Sequence, residues 1–79
     1  MDIKIAALRT QEQVKTADGA NWPDHESLGK KHIIDMLQEV IFGNVSGEKA
    51  HRWLGWAQAA TVAAGAGTLD DMKNINHKA

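Results

Sequence analysis

The 79-residue sequence has no cysteine, no tyrosine, a single phenylalanine and a single proline. The absence of cysteine excludes disulfides and thiolate metal sites, and it is compatible with a reducing compartment. The formal net charge is only -1, which argues against a protein built mainly for non-specific nucleic-acid binding. Met1 to Leu8 has neither a basic start leading into a long apolar run nor a cleavage site, so no secretory signal is expected. The uncharged run from Trp53 to Leu69 is rich in alanine and glycine, contains Gln58, and falls short of the about 20 residues that span a bilayer. Burial within protein is the expectation there, and the cytoplasm is the expected location.

What is present is organised around Ser46 to Gly65, which carries two of the three tryptophans and few polar groups. Ser46 can serve as an N-cap, Glu48 puts negative charge at the positive end of the helix dipole, and Gly65 supplies a stop. With Ala57 as centre and a step of about 100° per residue, Ala50, Trp53, Leu54, Ala60, Thr61 and Ala64 fall within roughly 60° of it. That stripe predicts the core face. The opposite side begins with His51 and Arg52 and continues through Gly55, Gln58, Ala59 and Val62, which is too apolar for an ordinary solvated face. A chain this short buries a small fraction of its surface by itself, so a second copy is the expected cover, with Gly55 and Val62 in the contact.

Met1, Ile3 and Ile5 alternate with Asp2 and Lys4 as in a short strand, whereas Ala6 to Val14 would also accept a helix. Residues 1–22 are accordingly expected to form an arm, strand or weak helix, that crosses to a partner protomer. Asp18-Gly19 signals a turn and Asn21-Trp22-Pro23-Asp24 a hinge. A helix is expected from Pro23 or Asp24 to Phe42, with Ile33, Ile34, Leu37, Val40 and Ile41 on one stripe, Met36 at its edge, and Gly43 or Asn44 left-handed after it. The short connection to Ser46 predicts an antiparallel hairpin. Thr68 can cap a final short helix with Asp70 and Asp71 in its first turn and Lys73, His77 and Lys78 further along. The expected fold is all-α and oligomeric: an N-terminal arm, then a helical hairpin and a short C-terminal helix over residues 23–79.

Chemistry of an enzymatic kind is not indicated. Ser27 and Ser46 lack a nucleophile-elbow context, Asp70 and Asp71 are accounted for by helix-terminus electrostatics, and no glycine-rich phosphate cradle follows a strand. His25 and His32 are two turns apart, and His51 and His77 have no partner at ligand spacing, so neither a metal nor a cofactor is expected. Binding is the expected business of the chain. Lys30, Lys31 and His32 form one basic cluster; Lys49, His51 and Arg52 form another beside Trp53 and Trp56. In a hairpin these would lie at opposite ends of a rod about 20 Å long, to be joined only across two protomers. Joined, they would offer cations for phosphate and the Trp56 indole for a base. The simpler reading makes Lys30 and Lys31 a solvated face and pairs Arg52 with Glu39 or Glu48. Trp22, Leu28 and Phe42 are a candidate surface for a protein partner. A helix-turn-helix reader of DNA is disfavoured, because the second helix lacks a polar, basic exposed side.

Lys49-Ala-His-Arg-Trp-Leu-Gly-Trp-Ala-Gln58, followed by Thr68-Leu-Asp-Asp-Met-Lys-Asn-Ile-Asn76, resembles small proteins of tailed phages and prophages. Those share an Arg-Trp-Leu-Gly-aromatic-x-Gln segment and a Thr-hydrophobic-acidic-acidic-hydrophobic-basic helix. The resemblance covers roughly residues 44–76, and departs from the pattern at Ala59 and at the Ala-Gly-Ala-Gly stretch before Thr68. It implies an accessory protein acting in the host cytoplasm against a defence component. Such a protein either sequesters a cyclic nucleotide signal as a homo-oligomer or blocks a defence effector in the manner of an anti-CRISPR.

Overall fold

Asp2 caps the first helix: its carboxylate accepts from the amides of Lys4 at 3.0 Å and Ile5 at 3.3 Å, and Ile3–Thr16 follow as α1. In this computed structural model, which describes all 79 residues, three more helices complete an all-α fold without strands: α2 (Lys30–Ile41), α3 (Gly47–Ala63) and α4 (Leu69–Lys78). The N-terminal segment is therefore not an arm. It packs against all three of the others. Its inward face is Ala6, Ala7, Thr10, Gln11 and Val14, all buried. Two of those five are polar, which hides the periodicity from a hydropathy reading, and each is satisfied internally. The Thr10 hydroxyl donates to the Ala6 carbonyl at 2.8 Å, and the Gln11 amide donates to the Ile34 carbonyl at 3.2 Å and to Gln38 Oε1 at 2.8 Å.

The second helix starts later than the sequence predicts. Pro23 precedes it by a loop in which Leu28 and Gly29 both donate their amides to the His25 carbonyl, at 3.1 and 2.8 Å. Gly29 is the cap residue, and a Cβ there would lie 3.2 Å from that same carbonyl, so a side chain would need the turn to give by a few tenths of an ångström. Leu28 and Trp22 pack back on the core from this loop. The buried stripe of α2 is Ile33, Leu37 and Val40, as its spacing predicts, with Ile34, Met36 and Ile41 partly buried against the same core.

The C-terminal ends of α2 and α3 use glycine in the left-handed region, Gly43 at φ 80 and Gly65 at φ 75. After α2, Gly43 donates to the Val40 carbonyl and Asn44 to that of Glu39; after α3, Gly65 donates to Val62 and Ala66 to Thr61. These paired bonds satisfy carbonyls that a helix end leaves free. The Lys4 ammonium sits beside Gly43, a cation at the negative end of the α2 dipole.

On α3, Ala50, Leu54, Ala57, Ala60 and Thr61 are buried and Trp53 is half-buried, matching the expected core face. Ser46 occupies the N-cap position with extended backbone, but its hydroxyl makes no capping bond. The alanines of α3 join Ala6 and Ala7 of α1 in one cluster, where small side chains permit close helix approach. The Cα extents of 30 × 25 × 17 Å correspond to a body two helices thick.

Thr68 and Asp71 close a reciprocal capping box on α4, with bonds of 3.0 Å from the Asp71 amide to the hydroxyl and 2.8 Å from the Thr68 amide to the carboxylate. Thr68→Ala is expected to cost about 1 kcal/mol, and thus to lower the melting midpoint by about 4–8 °C in a thermal scan. An unchanged midpoint would mean that α4 does not melt with the rest of the domain.

Candidate functional site

Two depressions mark the surface, and α3 forms a wall of both. The first, about 490 Å³, lies between α3 and α4. Gly55, Ala59, Val62 and Ala63 line it from α3; Leu69, Met72 and Lys73 line it from α4. Its floor is closed by a doubly bonded amide pair. Gln58 Nε2 donates to Asn76 Oδ1 at 2.7 Å and Asn76 Nδ2 donates to Gln58 Oε1 at 2.9 Å. Gln58 also donates to the Thr10 hydroxyl at 3.1 Å, so this residue, expected on the outer side of α3, is buried and ties three helices together. Leu69 stands 59% exposed at the rim.

The second depression, about 330 Å³, is framed by Ser27, His32, Met36, Arg52, Trp53 and Trp56. Trp56 is 48% exposed, and its indole N–H donates to the Ser27 carbonyl at 3.0 Å. The ring edge is thereby fixed while part of the ring remains accessible. Arg52 has no carboxylate within 4.0 Å: the one ion pair of the chain joins Lys31 to Asp35, one turn apart, at 3.3 Å. Glu39 instead accepts from Asn44 at 2.7 Å. The Lys49 ammonium lies 5.3 Å from the centroid of the Trp53 ring, a cation–π contact that occupies it outside the depression.

The basic clusters do not lie wholly apart. His32 from one and Arg52 from the other line the same depression within a single protomer. Distances counted along helix axes leave out side-chain reach: His32 is one turn from Met36, and an arginine extends over more than a turn of neighbouring helix. Lys30, Lys31, Lys49 and His51 are exposed but do not line it. Ser27, His32, Met36 and Trp53 do; His32 belongs to one basic cluster of the sequence and Trp53 adjoins the other, whereas Ser27 and Met36 carry no sequence signal for a ligand.

Among the residues expected to meet a partner, Gly55 and Val62 line the apolar depression and Phe42 is 68% exposed. Trp22 and Leu28 are partly buried, packed against the chain's own core. The Trp22 indole nitrogen is buried without a hydrogen-bond partner. No group of three histidine, aspartate or glutamate side chains is disposed to hold a metal ion, and no helix is long and apolar enough to cross a membrane.

Fold and surface together define a small all-α domain of four helices, with one apolar and one cationic, aromatic depression on either side of α3. Comparison with protein families, curated proteins and solved structures finds no match to this chain.

Proposed function

We propose that this chain is a non-enzymatic phage or prophage accessory protein that counters host defence in the host cytoplasm by sequestering a small nucleotide signal, cyclic forms included. On this reading α2 and α3 are the arms of an antiparallel hairpin and the protein works as a homo-oligomer. The observation that carries it is Arg52 without a carboxylate partner beside a tethered, half-exposed indole and His32. The guanidinium fork suits phosphate oxygens, and the Trp56 face suits a base. At about 330 Å³ the depression is near the small end of ligand sites, of about 300–1,000 Å³, so one protomer would hold one nucleotide unit and leave the rest of a larger ligand to a second copy.

Calorimetric titration with cyclic mono-, di- and trinucleotides tests this. Saturable binding of at least one of them, with no heat from the corresponding uncharged nucleosides, is expected. Absence of binding across the whole set would sink the proposal. The second reading, a protein–protein inhibitor of a defence effector, draws on Phe42, 68% exposed at the end of α2. Trp22 and Leu28, partly buried against the chain's own core, would complete the contact. Under that reading Phe42→Ala would abolish inhibition of the effector and leave nucleotide titrations flat.

A further inference from the structure

The apolar depression between α3 and α4 is concave, uncharged but for Lys73, and lined by short side chains along α3: Gly55, Ala59 and Ala63. Short side chains at one-turn spacing let another helix approach closely. The two amides on its floor, Gln58 and Asn76, satisfy each other, so they ask nothing of an occupant. Its complement is therefore a convex apolar ridge with one negative charge near the end that meets Lys73.

The chain carries such a ridge. On the outward side of α1, Ile5 and Leu8 are 39% and 42% exposed, and Glu12 follows on the same stripe within roughly 60°. Met1 extends the apolar part beyond the helix start, also exposed. Anchors at such spacing are the pattern by which a helix fills a groove.

We infer that the groove between α3 and α4 receives the α1 ridge of a second copy, with Leu8 and Ile5 against Gly55, Ala59 and Ala63 and Glu12 facing Lys73. Packing groove against groove is disfavoured by shape, since two concave faces enclose a void instead of filling it. The contact is then heterologous, each copy giving a ridge to one neighbour and a groove to another, and it propagates until a ring closes. This is the homo-oligomer of the proposed function with its surfaces named, and it rests on that reading for the expectation of a closed assembly.

Native mass spectrometry and sedimentation velocity test it on two single variants at exposed positions, Leu8→Glu in the ridge and Ala59→Glu in the groove. Each is expected to weaken association by about tenfold or more, since each sets an unpaired charge in an apolar contact. An equimolar mixture is expected to form a heterodimer, because the intact groove of the Leu8→Glu chain takes the intact ridge of the Ala59→Glu chain and the other ends are blocked. Glu12→Lys should likewise be weak alone and be restored by mixing with Lys73→Glu. A wild-type monomer, wild-type assembly of either variant, or two variants that stay apart when mixed would each overturn the inference. Nucleotide titration of the same samples keeps the two questions separate. Retained binding by a wild-type monomer removes the assembly and leaves the ligand, and an intact assembly that binds no nucleotide does the reverse.

Discussion

Val14→Asp is expected to leave the chain unfolded at 25 °C. Val14 is fully buried on the inward face of α1, among the largest side chains of the core. A carboxylate there is either ionised, with a desolvation cost of several kcal/mol, or neutral with polar atoms that no neighbour satisfies. A domain of 79 residues has a stability of roughly 4–12 kcal/mol, so the substitution removes most or all of it. Circular dichroism and tryptophan fluorescence during a urea titration measure the effect. Lys15→Ala, at an exposed position of the same helix, should stay within about 0.5 kcal/mol of wild type. A cooperative unfolding transition near the wild-type midpoint for Val14→Asp would show that α1 is dispensable to the core, as an arm would be.

Arg52→Ala is expected to lower affinity for a bound nucleotide by at least about 30-fold, the equivalent of roughly 2 kcal/mol or more for truncating one partner of a charge-assisted pair. Its stability should not change measurably, because Arg52 is exposed and has no carboxylate within 4.0 Å to leave unpaired. The oligomer should also persist, since Arg52 does not line the groove between α3 and α4. Arg52→Lys separates charge from geometry. It keeps the cation but lacks the planar fork, so an intermediate loss is expected if phosphate is gripped by two parallel bonds. Calorimetry reads all three proteins against the same nucleotide. Unchanged affinity in the alanine variant would remove Arg52 from the site and with it the reason to place a phosphate there.

By itself the sequence determined the elements whose patterns are unmixed. Ile33, Leu37 and Val40 recur at helical spacing among polar residues, and Ala50, Leu54, Ala57, Ala60 and Thr61 do so on α3, so both inward faces follow from periodicity alone. The capping box of Thr68 and Asp71 and the left-handed Gly43 and Gly65 are equally local, since each depends on residues within a turn of itself. Only the tertiary structure decided the role of α1. Its buried face includes Gln11, whose burial is favourable only once Ile34 and Gln38 are in place to take its hydrogen bonds, and Thr10, whose hydroxyl accepts from Gln58 of α3. The same holds for Gln58, polar in sequence and buried in fact, because Thr10 and Asn76 come from helices 48 and 18 residues away. It holds too for the meeting of His32 with Arg52 beside Trp56. Spacing along a helix says which side chains share a face, whereas partners for polar groups and the walls of a depression are chosen by the packing of one helix on another.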